Sequence, residues 1–141
     1  MVKAFVDANV LVSVLNKEYP LFTHSSRVLS LAGEDGFELY TSSLCLAIGF
    51  YFSSKKSGQK SARKKVELLC NHMNIAPIQA SAVKAAINNP KVTDLEDGFQ
   101  NYAAADVGCA CIITENASDF YFSDLEILSS EGFLSKYAFK K

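Results

Sequence analysis

Little in this chain points to zinc, to a membrane or to a polyanion held by bulk charge. The four cysteines are Cys45, Cys70, Cys109 and Cys111, with no pair at Cys-x-x-Cys spacing. The two histidines, His24 and His72, stand at no zinc-like interval from them, which argues against a structural zinc site. Reduced, buried thiols in a cytoplasmic protein are the expectation. No apolar run approaches the roughly 18 residues of a membrane span, and no charged-then-apolar leader opens the chain. Neither secretion nor membrane insertion is expected. Fourteen Lys and Arg against fifteen Asp and Glu leave a net charge of -1. The bulk basic footprint of a nucleic-acid binder is therefore missing. Contact with nucleic acid must come from a local patch or through metal ions.

What is present suits one ordinary domain spanning residues 1–141. Hydrophobic residues make up 49%, enough for a full core, and the 21% that are charged exclude a disordered or coiled-coil chain. The informative stretch is the start, VKAFVDANVLVSVL. Residues 2–6 are short, apolar and rich in β-branched and aromatic side chains, as in a strand buried on both faces of a parallel sheet. Asp7 follows at once, and Val10, Leu11, Val14 and Leu15 then recur at helical spacing. Asp7 thus stands where a strand ends and a helix begins. Taken alone, it fits a helix cap as well as a ligand at the sheet edge.

Further along, residues 23–32 read as a helix and Gly33-Glu34-Asp35-Gly36 as a turn. Residues 37–41, FELYT, read as a second strand. Ser42 or Ser43 caps a helix over residues 44–52, apolar nearly all round and expected to be largely buried. A basic cluster follows: Lys55, Lys56, Lys60, Arg63, Lys64 and Lys65 precede the next acid, Glu67. It suits either phosphate contact or a solvated turn and helix start. Residues 75–78 are a short strand or extended link, and residues 80–88 a helix stopped by Asn89-Pro90. Thr93-Asp94-Leu95-Glu96 fits a capping box with Thr93 as N-cap, opening a helix to Asp106. Residues 109–114 and 125–128 read as further strands, and residues 131–136 as a last turn of helix. This alternation predicts an α/β fold, a three-layer α/β/α sandwich on a mainly parallel sheet of four to five strands.

Carboxylates share one address in that fold. Asp7 follows the first strand, Asp119 follows the strand at 109–114, and Asp94, Glu96 and Asp97 open the helix that precedes it. A helix antiparallel to the next strand starts at that strand's carboxyl end, so Asp97 can face the crevice shared by Asp7 and Asp119. Asn9 and Asn116 stand close by. An all-oxygen cluster without His or Cys suits Mg²⁺ or Mn²⁺, ions that clamp a phosphodiester and activate water. Asp94 and Glu96 fit helix capping and the macrodipole equally well.

With FVDANVLVSVL, TDLEDGFQNYAAA and IITENASDF in order, the chain resembles a PIN domain, the nuclease fold of VapC-type toxins. The resemblance runs over nearly the whole chain. It implies a metal-dependent ribonuclease, with Asp7, Asp97 and Asp119 as the acidic triad and Mg²⁺ or Mn²⁺ as cofactor. Asn9 and Asn116 fall on the polar positions beside the triad, Asp94 is an auxiliary acid, and a small antitoxin protein is an expected partner. One departure stands out. Family members usually carry a further acid on the helix after the second strand, a position near Ile48, yet no carboxylate lies between Glu38 and Glu67. The loss puts Asp94 or Glu96 forward as a substitute, or leaves weak or no activity.

Two other readings compete. A PIN fold that holds RNA or a protein without cutting is favoured by the missing acid. A receiver-type signalling domain would want paired acids after the first strand, where only Asp7 stands. Finally, the helix at 44–52 and the stretch Phe120-Tyr121-Phe122 carry enough apolar surface to predict a homodimer.

Overall fold

A computed structural model describes residues 1–138. Five strands form one sheet in the order β3-β2-β1-β4-β5, every neighbouring pair parallel: β1 Val2–Val6, β2 Phe37–Thr41, β3 Asn74–Ile75, β4 Cys111–Ile113 and β5 Glu126–Leu128. Seven α-helices are described: α1 Ala8–Leu15, α2 Leu21–Ser30, α3 Ser43–Ser57, α4 Gln59–His72, α5 Ala80–Asn88, α6 Leu95–Asp106 and α7 Ser130–Phe133. They flank the sheet in the expected α/β/α sandwich. Parallel strands need crossovers on the sheet faces, which is why the strands carry apolar residues on both sides. Ala4, Phe5 and Val6 of β1 pair with Cys111, Ile112 and Ile113 of β4, and all six are fully buried.

The topology fixes where a ligand would sit. From β1 the chain leaves toward β2 on one side; from β4, the other neighbour of β1, it leaves toward β5 on the opposite side. Adjacent strands with diverging exits open a crevice at their carboxyl ends. Asp7 and Thr114 stand at those two ends.

Several local expectations need correction. Asp94, not Thr93, caps α6: its Oδ1 accepts from the Glu96 amide at 3.0 Å, and the helix starts at Leu95. Glu96 is thus one position too early for a capping box. The helix at α3 is far from wholly buried. Cys45, Gly49 and Ser53 face inward against α1 and α4, whereas Tyr51 and Phe52 are exposed. Phe120 and Phe122 belong to the core, with only Tyr121 of that stretch at the surface. Cys45, Cys109 and Cys111 are buried free thiols as expected, but Cys70 lies exposed on α4. No helix among the described residues is long and apolar enough to cross a membrane.

Candidate active site

Asp7 is the fixed point of the site. Its backbone is still extended, so it serves as N-cap of α1, and its Oδ1 accepts from the Ala8 amide at 2.8 Å. Its Oδ2 accepts from the Thr114 hydroxyl, across the β1–β4 boundary, at 2.9 Å. Thr114 is itself fully buried and saturated. Its oxygen accepts from Asn9 Nδ2 and from the Asn116 amide, each at 3.1 Å, while Asn9 Oδ1 accepts from the Glu115 amide at 3.2 Å. Capping and site building are therefore one arrangement here, not alternatives. Nothing in the sequence singled out Thr114 except that it is the polar end of an otherwise apolar strand.

Asp97 reaches the site from α6. Next to it, Gly98 lets α6 lie close against α5 and the segment before α6: a Cβ there would stand 2.8 Å from both Ala86 Cβ and Val92 Cγ1. Behind it, the Ser42 hydroxyl donates to Gln100 Oε1 at 2.5 Å, tying α6 to the start of α3. Asp119 arrives on the short 3₁₀ turn Ala117–Phe120, held by its own amide donating to the Asn116 carbonyl at 3.0 Å.

Asp7, Asn9, Asp94, Glu96, Asp97, Asn116 and Asp119 all line one cleft of about 460 Å³ at the carboxyl edge of the sheet. So do Glu18 and Glu115, which sequence reasoning passed over. Glu115 is drawn partly aside, its Oε1 accepting from the Ser130 amide at 2.9 Å. The Ile48 side chain also lines the cleft, so the position at which the PIN resemblance implied a further acid does face the site, but with an apolar group. None of the six basic residues lines it.

Electrostatics mark the acids as mutually unfavourable. Burial pushes the Asp7 carboxyl up, aided slightly by the charge on Asp119 and opposed by the Ala8 and Thr114 hydrogen bonds. Asp97 is raised from 3.8 to about 7, first by desolvation and then by Asp94, Asp7, Asp119 and Glu96. Glu96 is raised by the same causes, burial first and then Asp94 and Asp7. Such carboxylates favour a cation among them. Among the described residues no three acidic, His or Cys side chains converge on one point as a finished metal cage. The donor set nevertheless fits Mg²⁺ or Mn²⁺: it is all oxygen, and Mg²⁺ keeps several waters and takes only one or two carboxylates. The nearby Cys45 thiol, 4.0 Å from Asp7 Oδ1, is pushed up to about 12 by burial and stays protonated, so it adds no soft ligand.

The basic cluster divides. Lys56 Nζ donates to the Asn16 carbonyl, and Lys65 Nζ to the Leu15 carbonyl at 3.1 Å, so both hold the end of α1. Lys55 Nζ lies 4.5 Å from the Tyr51 ring centroid. Lys60, Arg63 and Lys64 are exposed on α4.

Known proteins resemble this chain in sequence and in fold. Residues 3–118 match the PIN domain family. Ribonuclease VapC1 of Aquifex aeolicus (strain VF5) is 30% identical over 139 residues, covering 96% of this chain and 95% of the relative. Among solved structures, the VapBC2 complex of Rickettsia felis, bound to a DNA fragment from its promoter, aligns over 90% of this chain and 98% of its own. Its TM-score is 0.70 and its identity 16%. The sarcin-ricin-loop-cleaving toxin VapC20 of Mycobacterium tuberculosis aligns over 77% and 86%, with a TM-score of 0.61 and 14% identity. These last two establish likeness of fold. The match over most of the chain, and the 30% identity to a ribonuclease over nearly the full length of both chains, show that this chain belongs to the PIN domain family of VapC-like ribonucleases.

Proposed function

We propose that the protein is a divalent-metal-dependent endoribonuclease, the toxin of a toxin–antitoxin pair acting in the cytoplasm. Its acidic triad is Asp7, Asp97 and Asp119, and Asp94 and Glu96 are auxiliary acids. The observation that carries this reading is the cleft itself: three acids from three separate elements share it, and the Asp97 carboxyl is raised by burial and by the charges of its neighbours, Asp7 and Asp119 among them. Bound Mg²⁺ or Mn²⁺ supplies charge neutralisation at the phosphodiester and a more acidic water. The chain's own part is positional. Thr114 and the Ala8 amide hold the Asp7 carboxylate in one orientation. Asn9 and Asn116 are locked to the same hydroxyl and frame the cleft mouth. The partners under this reading are RNA, a small antitoxin and a second copy of the chain.

The decisive experiment replaces Asp7 by Asn. Mn²⁺ binding followed by titration calorimetry and cleavage of total RNA should both be lost, with the circular dichroism spectrum unchanged. Full cleavage by Asp7→Asn would falsify the nuclease reading. A second reading, an RNA-binding module that does not cut, is favoured by Ile48 standing on the cleft wall. It predicts RNA binding without cleavage by the parent protein.

A further inference from the structure

Behind the cleft stand three polar side chains that water does not reach. Thr41, Ser42 and Gln100 are each fully buried, and none of them lines the cleft. Thr41 ends β2, Ser42 caps α3, and Gln100 lies in the middle of α6. The Thr41 hydroxyl donates at 3.0 Å to the carbonyl of Val6, the residue before Asp7. Ser42 Oγ accepts from the Cys45 amide at 3.1 Å and donates to Gln100 Oε1 at 2.5 Å. The Cys45 thiol in turn stands 4.0 Å from Asp7 Oδ1. Gln100 follows Asp97 by three positions, so the two share one side of α6. A continuous buried path thus runs from Asp7 to the turn of α6 that carries Asp97.

Gln100 uses only half of its amide. The Ser42 hydroxyl needs an acceptor for its hydrogen, and the carbonyl end of Gln100 is that acceptor. Nε2 is buried with no hydrogen-bond partner among the described residues. An unpaired buried donor costs stability. An apolar side chain at this position would exchange that orphan for another, the Ser42 hydroxyl. Folding therefore gains little from a glutamine here, and what it supplies is the bond to Ser42. That bond has no substitute. α6 takes its broad packing from α5, where Gly98 brings it close. Among the described residues, Ser42–Gln100 is the only hydrogen bond that joins α6 to β1, β2, α1 or α3.

Resting on the metal-dependent reading above, we infer that Gln100 is a positioning residue: through Ser42 it sets the separation of Asp97 from Asp7, on which a shared divalent ion depends. It acts through the placement of α6 and not by contact with the ion. Groups that orient metal ligands in this way affect affinity although they never touch the metal.

The test uses the full chain and two variants that break the tie from either side, Gln100→Leu and Ser42→Ala. Titration calorimetry with Mn²⁺ alone should show affinity reduced about 10- to 100-fold in each. The circular dichroism spectrum should be kept, and Gln100→Leu should melt close to the parent. Both variants remove the same bond, so the double variant should bind Mn²⁺ no more weakly than the weaker single one. Metal-free crystal structures of the parent and Gln100→Leu should differ in the distance between the Asp7 and Asp97 carboxylates. Parent-like Mn²⁺ affinity in Gln100→Leu overturns the inference, as do losses that add in the double variant. A lower melting temperature with unchanged affinity also overturns it and leaves Gln100 a residue of the fold alone. A parent that binds no Mn²⁺ sinks the metal-dependent reading instead. The crystal distance then decides the tie by itself, and an unchanged separation overturns it.

Discussion

The acidic cleft and the basic turn between α3 and α4 carry opposite charge and hold it in opposite ways. In the cleft, Asp7 is buried, doubly hydrogen-bonded and surrounded by like charge. At the turn, the cations are largely exposed, and two of them are spent on backbone carbonyls at the end of α1. Buried charge interacts strongly with its neighbours because the local dielectric is low, whereas exposed charge is screened within about 8–10 Å. The cleft is consequently a unit whose parts depend on each other. The turn is a set of nearly independent side chains, some structural and some available to a ligand.

Breaking the network at its hub should have the largest effect. Thr114→Val keeps the shape but removes the donor to Asp7 and the acceptor for Asn9 and the Asn116 amide. Urea unfolding should show a loss of about 1–3 kcal/mol. Because the Thr114 hydrogen bond holds the Asp7 pKa down, its loss should also move any ionisation-dependent metal binding to higher pH. A variant as stable as the parent would show that the cleft is not one coupled unit.

A smaller effect is expected from removing the charge of Asp97, which burial and then the neighbouring acids disfavour. A carboxyl whose pKa is higher in the folded chain than in the unfolded chain stabilises the fold while protonated. That contribution is complete below the ordinary value and is lost as pH rises through the folded value. For Asp97 the window runs from 3.8 to about 7. In metal-free protein, the melting temperature of Asp97→Asn relative to the parent should therefore climb across this range and level off above it. Asp97 is partly exposed, so screening keeps the gain modest. A flat difference would mean that neither burial nor the neighbouring acids raise the Asp97 carboxyl, and Mn²⁺ should abolish the advantage of the variant.

The smallest effects belong to the turn, and there the lysines should separate by role. Lys56→Met and Lys65→Met should each cost up to about 1 kcal/mol through the lost carbonyl contacts. Lys60→Met and Lys64→Met should stay within about 0.5 kcal/mol in stability. If those two lysines meet phosphates, each loss should flatten the salt dependence of RNA binding by about one unit of log–log slope. Identical behaviour of all four would erase the contrast between tethers and free cations.

Much of this molecule was decided locally and so was legible in the chain. A short apolar run ending in Asp7, a helix opening with Asp94 to Asp97 and a strand followed by Asn116 and Asp119 are short-range patterns. Parallel α/β topology gathers strand ends at one edge whatever the details of packing. That much determined the fold and the address of the acids. The rest depended on which distant side chains meet. Asp7 and Thr114 are 107 positions apart, and only the β1–β4 pairing brings the hydroxyl to the carboxylate. Phe120 and Phe122 read as surface material until the turn that carries them folds onto the core. The α3 helix looked buried all round because composition does not say how many neighbours a helix has, and with its inward side filled by small residues, Tyr51 and Phe52 remain in water. Local pattern specifies elements and their ends. Tertiary packing alone decides which polar groups find partners and which apolar faces stay open, because both depend on contacts made between elements far apart in the chain.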